Sequence, residues 1–259
     1  VKSRDGIVRS IFCAILRKRV SALLLCSPAV VVAGAPEVSI GRFDTDRAAL
    51  PSSWQVIQLE KNVSPTQYRP LYWDGVHAIE SQANRSMALL GRKVEVDLTV
   101  TPVLCWRWRV EDVLKKADMK RRQGDDYAAR VYIAFALPPE ALSFTDKAAL
   151  SVARALFGDR VPDAAINYVW DNRHVVDTRL PNAYTDRAQM IVRRTGSNDL
   201  GRWVTERVDV RDDVIRTFGS DKARPILVAI ASDTDNTGEK VRAGFADLHF
   251  VGKNDACNF

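Results

Sequence analysis

Two short segments of the chain alternate arginine with large apolar residues. Over residues 104–110, Arg107 and Arg109 alternate with Trp106, Trp108 and Val110; over residues 127–135, Arg130 and Tyr132 alternate with Val131, Ile133 and Phe135. Successive side chains of an extended strand point to opposite faces. Each segment therefore predicts a core face of Trp, Val, Ile and Phe and an outer face of Arg and Tyr. If both strands lie in one sheet, Arg107, Arg109, Arg130 and Tyr132 converge on one surface. A guanidinium is a planar fork that binds a carboxylate through two hydrogen bonds, and aromatic rings cover the apolar faces of sugars. That surface would suit an acidic glycan, with Trp170 and Tyr168 of Ile166-Asn167-Tyr168-Val169-Trp170 adding rings to it. The alternative is that these arginines pair with Asp97, Asp125 or Asp126, as surface arginines commonly do with little effect on stability.

A second feature is Ser232-Asp233-Thr234-Asp235-Asn236-Thr237-Gly238-Glu239. It opens like a calcium loop, with acids at the first and third positions and glycine at the sixth. The twelfth position falls on Gly244 where an EF-hand needs a bidentate glutamate, so that motif is excluded. Asp233 and Asp235, with Asp247 as a third ligand, remain candidates for a structural Ca2+; the other reading is a tight turn whose Asp and Asn side chains cap their own backbone. No other cofactor is expected.

Catalytic signals are sparse. His77, His174 and His249 lie far apart, and nucleophile elbows, phosphate loops and zinc-protease motifs are absent from the sequence. His174 is a candidate acid or base, or else a solvated loop histidine. Cys105 and Cys257 follow the first 35 residues. They form a disulfide if the compartment is oxidising, or stay as a buried thiol and a loose one. Two cysteines are too few for a structural zinc site of the finger kind.

The elements that would carry these residues are short and mostly extended. Alternation and turn residues predict strands over 54–60, 76–82, 86–90, 93–100, 103–110, 127–136, 165–171, 187–194, 202–210, 226–232 and 243–251. Helical insertions are expected at 145–157 and 212–218, stopped by Gly158 and Gly219, and a charged short helix or loop at 110–122. The fold class is all-β: a single β-sandwich or jelly-roll domain over 37–259 with a few short helical insertions. There is no internal repeat, which argues against a propeller.

Charge points to export. Residues 1–35 hold six basic residues and one acid, a net of +5, and the remainder holds 32 basic and 31 acidic residues, a net of +1. The near-neutral remainder argues against a nucleic-acid partner. Arg17-Lys18-Arg19, an apolar run to Val32 and Ala33-Gly34-Ala35 make a signal peptide with cleavage after Ala35. The run is too short to span a membrane and Pro28 interrupts it. A periplasmic or secreted protein is expected, with no membrane span after cleavage.

Several runs carry a resemblance. Leu104-Cys105-Trp106-Arg107-Trp108-Arg109-Val110, Gly124-Asp125-Asp126-Tyr127-Ala128-Ala129-Arg130-Val131-Tyr132, Tyr168-Val169-Trp170 and Asp233-Thr234-Asp235-Asn236-Thr237-Gly238 resemble a bacterial family called domain of unknown function 3047. The resemblance spans roughly residues 42–251, with residues 145–162 longer and more helical than the family pattern. It implies an exported β-sandwich and assigns no activity. The residues point first to a non-catalytic binding module for a carbohydrate or other anionic envelope polymer, with Arg107, Arg109, Arg130, Tyr132 and Trp170 as ligand contacts. The alternatives are a lyase-like enzyme acting on acidic glycans and a structural cell-envelope protein.

Overall fold

The structure, a computed structural model, describes residues 35–43, 49–157 and 161–259. Residues 1–34 of the expected signal peptide lie outside them. Two sheets face each other. The first has β11 (Val204–Asp209), β6 (Val103–Val110), β13 (Lys240–Val251), β4 (Val76–Asn84) and β3 (Gln67–Trp73) in that order, with β1 (Val38–Gly41) also pairing with β13. The second runs β2 (Gln55–Ile57), β5 (Leu89–Lys93), β12 (Arg224–Ala231), β7 (Ala129–Ala136), β8 (Ala164–Asp171), β10 (Thr185–Thr195) and β9 (Arg179–Asn182). Among the described strands every pairing is antiparallel except that of β8 with β10. This is an all-β sandwich carrying two α-helices among the described residues, α1 (Phe144–Phe157) and α2 (Val210–Phe218).

Local chemistry accounts for the elements. The β3–β4 hairpin turns on Asp74 and Gly75, both at positive φ (47° and 84°), as a two-residue turn between right-twisted strands requires. Asp209 caps α2 by accepting from the Asp212 amide at 2.9 Å, and Gly219 ends it at φ 69°. The segment at 110–122, expected as a short helix or a loop, is irregular, and a 3-10 turn follows at Arg122–Gly124. Expected strands at 86–90 and 93–100 become the single β5. Beyond it Val94, Val96 and Leu98 still bury their side chains, while Asp97 accepts from the Thr99 amide at 2.8 Å and bends the chain.

The sheets meet through aromatic side chains. Trp106 and Trp108 of β6 stand edge to face, 5.4 Å apart. Trp106 packs on Tyr168 at 5.5 Å and Trp108 on Trp170 at 5.7 Å, across from β6 to β8. Ile133, Phe135, Phe245 and Phe250 extend this core. The Trp108 indole N–H donates to Glu206 at 3.3 Å.

Cys105 and Cys257 form a disulfide across 152 residues, tying the C-terminal tail to β6. No helix among the described residues is long and apolar enough to cross a membrane.

Two stability outcomes follow. Trp108→Ala should cost about 3–5 kcal/mol in urea unfolding, the range for emptying a packed tryptophan site, because it also strips a donor from Glu206. Cys257→Ser should cost about 2–5 kcal/mol; a value near zero would mean that the tail bond constrains nothing in the unfolded chain.

Candidate functional site

The outward sides of the two sheets carry different chemistry, and the predicted ligand residues divide between them. Arg107 and Arg109 stand on β6, which pairs with β11 and β13; Arg130 and Tyr132 stand on β7, which pairs with β12 and β8. The outer faces of a sandwich's two sheets lie on opposite sides of the core, so the expected four-residue convergence does not form. Alternation was the right guide within each strand. The shared sheet was the error, because neighbours in sequence order are not neighbours in the sheet order.

On the first sheet the arginines are occupied. Arg107 donates to Asp247 at 2.5 Å. Arg109 pairs with Glu111 at 2.6 Å and with Asp74, and lies 4.6 Å from the centre of the Trp73 ring. Arg69 and Arg242 both bind the fully buried Glu80. Burial works against the Arg109 charge, but Glu111 and Asp74 outweigh it and raise its pKa.

Trp170 and Tyr168 also depart from expectation. Both are core residues of β8. Trp170 is 2% exposed and donates to the Gly196 carbonyl at 3.1 Å, and the Tyr168 hydroxyl donates to Asp213 at 2.8 Å. Their side of the strand packs on β6, so neither can stack on a ligand.

The second sheet's outer face is built differently. Tyr132 stands opposite Ala229 of β12 and Asn167 of β8; Arg130 stands opposite Ala231 and Val169; Ala134 stands opposite Leu227 and Ala165. The floor between the polar residues is therefore mostly alanine. Tyr132 packs with Leu89, Ala229, Ala231 and Met87 on one side, and Met119, Tyr127, Val169 and Met190 cluster on the other.

Asn167 lies between these clusters at 3% exposure, and its Oδ1 has no hydrogen-bond partner. Arg130 is 7% exposed; its Nη2 is 3.2 Å from Asp233 and its Nε has no hydrogen-bond partner. A buried polar group without a partner forgoes the hydrogen bonds that water gives it when unfolded, at about 1–3 kcal/mol each. Native folds keep few such groups. Among the described residues seven buried side-chain atoms lack a partner, and Asn167 Oδ1 and Arg130 Nε are the two that β7 and β8 place beside a tyrosine.

The electrostatics around Arg130 are acidic. Burial raises the Asp233 pKa well above the usual carboxylate range; Arg130 pulls it back, while Asp126, Asp125 and Asp235 push it up. Arg130 remains charged because Asp233 and Asp125 outweigh its burial. Burial pushes the Tyr132 phenol up to about 12, against the pull of Arg130. The Tyr127 hydroxyl donates to Asp125 at 2.9 Å, and Asn182 donates to the same carboxylate at 2.8 Å.

Asp126, Asp233 and Asp235 offer oxygens within 4.8 Å of one another. Asp247, the third ligand expected from sequence, is instead on β13 with Arg107. Asp126 already accepts from the Asn236 and Thr237 amides at 3.3 and 2.6 Å, which makes the Asp233–Gly238 segment a capped turn. Asp233 already holds the Arg130 guanidinium and the Tyr127 amide. A Ca2+ ion here would have to compete with a resident cation, so the donor set fits arginine better than calcium. His174 bonds to Asp171 at 3.0 Å, within its own loop.

Asn167 is the functional candidate that sequence reasoning missed. The signal was present: an asparagine in the middle of an apolar strand, one position out of phase with Ile166 and Tyr168.

Several solved structures resemble this chain in path. The family 12 xyloglucanase from Bacillus licheniformis aligns with a TM-score of 0.44 and 8% identity, over 84% of this chain and 100% of that one. A family 29 carbohydrate-binding module complexed with mannohexaose gives 0.36 and 11%, over 85% and 93%. The xyloglucanase domain of NopAA from Sinorhizobium fredii, in complex with cellobiose, gives 0.36 and 10%, over 85% and 100%. No curated protein matches the chain in sequence. The family described as "Protein of unknown function (DUF3047)" matches over residues 52–249, and the chain belongs to that family.

Proposed function

We propose that this protein is an exported, non-catalytic binding module that takes a neutral carbohydrate on the outer face of its second sheet, at Arg130, Tyr132 and Asn167. The observation that carries the reading is the Asn167 side chain, buried beside Tyr132 with its Oδ1 unpartnered. A sugar hydroxyl both donates and accepts. With both side chains turned outward, one hydroxyl can give its proton to Asn167 Oδ1 while a neighbouring oxygen accepts from Arg130 Nε, both atoms being closed to solvent in the free protein. Tyr132 supplies a ring for the apolar side of a pyranose.

An acidic polymer fits less well. Arg130 is already engaged by Asp233 at 3.2 Å, and Asp125, Asp126 and Asp235 stand close to Asp233. The local field therefore opposes anions, and a carboxylate has no proton to give Asn167 Oδ1. Lyase chemistry needs a free cation for the uronate and a base for its proton. Arg130 is held by Asp233, and a phenol titrating at about 12 is not a ready base. Export draws its support from the signal-like segment 1–35 and from the disulfide, a bond that persists in oxidising compartments.

Asn167→Leu separates binding from folding. It should raise stability by about 1–3 kcal/mol, the cost of the stranded amide, and lower glycan affinity at least about tenfold, a change of roughly 1.4 kcal/mol in binding free energy. Lower stability would show that the amide is satisfied in the free protein and would remove the basis of the site. On a glycan array, neutral chains should bind and uronate polymers should not. Tyr132→Ala should abolish that binding, and no incubation should generate an ultraviolet-absorbing unsaturated product.

A further inference from the structure

The C-terminal tail gathers three soft metal ligands on the first sheet. His249 of β13 stands opposite Cys105 of β6, and Cys257 of the tail is bonded to Cys105. The two sulfurs and a nitrogen of His249 lie within 4.8 Å of one another. Thiolates at about 2.3 Å and an imidazole at about 2.0 Å from a common three-coordinate ion stand about 3.7–4.0 Å apart. Once the bridge opens the two sulfurs must therefore move apart, while the His249 nitrogen already lies within about an ångström of the required spacing.

The histidine is oriented as a ligand would be. Its Nδ1 lies 2.6 Å from the Asp247 carbonyl oxygen, and its Nε2 accepts from the Asn258 amide at 3.2 Å. Nδ1 thus donates and Nε2 presents its lone pair. Metal-binding histidines usually donate their other ring N–H to a carbonyl or carboxylate in this way.

Other contacts hold the tail near its place without the disulfide. Arg42 donates to the Asn258 carbonyl at 2.8 Å, the Asn258 amide side chain donates to Glu37 at 3.2 Å, and the Phe259 ring lies 5.7 Å from His249. Opening the bond leaves both sulfurs close to the imidazole.

We propose that reduction of the Cys105–Cys257 disulfide creates a three-coordinate site for Cu(I), formed by both thiolates and His249 Nε2. An external dithiol supplies two electrons and two protons to the bridge, giving two thiols, and is itself oxidised to a disulfide. Cu(I) then displaces the two thiol protons to solvent, and the Asn258 amide gives up Nε2 to the ion. Soft thiolates select Cu(I) or zinc; three protein ligands leave the fourth position of a tetrahedral zinc site unfilled. The bonded state cannot bind, so the site is gated by redox state.

The test uses the full chain with Cys13→Ser and Cys26→Ser, so that only these two thiols remain. Oxidised and reduced protein compete for Cu(I) with a coloured chelator in the absence of oxygen. The reduced form should withdraw one equivalent and the oxidised form none. His249→Gln should weaken uptake by at least about tenfold. Cys257→Ser, which leaves the buried Cys105 in place, should weaken it further with an unchanged far-ultraviolet dichroism spectrum. Equal uptake by both redox forms, or by Cys257→Ser and its parent, would overturn the site. Preference for zinc over Cu(I) in the reduced form would overturn the choice of ion.

Discussion

What the molecule shows to solvent is decided in the seam between its sheets. Trp106 and Trp108 from β6 meet Tyr168 and Trp170 from β8, with ring centres 5.5 and 5.7 Å apart. Aromatic pairs of this kind contribute about 0.5–1.5 kcal/mol beyond the area they bury. A slip of one residue in either strand would turn these rings outward and bring Arg107 or Asn167 inward. The seam thus fixes register, and register in turn assigns Arg107 and Arg109 to one outer face and Asn167 and Val169 to the other. Tyr168 extends the constraint to α2 through Asp213.

The two outer faces answer the same alternation differently. On the first sheet, Arg107, Arg109, Arg69 and Arg242 all have carboxylate partners, and Trp73 lies against two of the guanidiniums. That layer is complete without a ligand. On the second sheet Arg130 is buried against Asp233, where removing one partner would strand a charge, while Asn167 is left with Oδ1 unpartnered. The contrast, rather than arginine content, distinguishes a closed ionic surface from a receptive one. It also explains why a surface rich in arginine need not attract anions.

The fold was more legible than the site. Residues 103–110 form the expected strand, and the strands at 76, 127, 165 and 243 were recognised with ends displaced by a few residues. The strands overlooked were β1, β3 and β9. Pro70 and Pro181 break the apolar pattern of β3 and β9, and a proline is tolerated there because both are edge strands that need not donate on the outer side. Asp74-Gly75 was a hairpin signal that could have recovered β3. The site was less readable because it depends on which strands pair. Tyr132 beside Asn167 is a cross-strand fact, as is the separation of Arg107 from Arg130. Periodicity reports the face a residue takes within its strand and is silent on sheet order.

The chain ends add a separate layer of control. The tail meets β6 through Cys257, β13 through the Asn258 amide on His249, and the β1 region through Arg42 and Glu37. All of these contacts belong to the first sheet. None involves β7 or β8, whose outer face carries Arg130, Tyr132 and Asn167, and none includes the four rings of the seam. Opening the disulfide therefore removes the covalent tie of the tail while leaving its Arg42, Glu37 and His249 contacts and the register-setting contacts of the seam in place. Arg92 of β5 donates to the Ile40 carbonyl of β1, and Lys253 of the tail pairs with Asp209 and Asp212 beside the Tyr168–Asp213 bond, so an effect of thiol redox state on the second sheet has to travel through these contacts rather than through the rings of the seam.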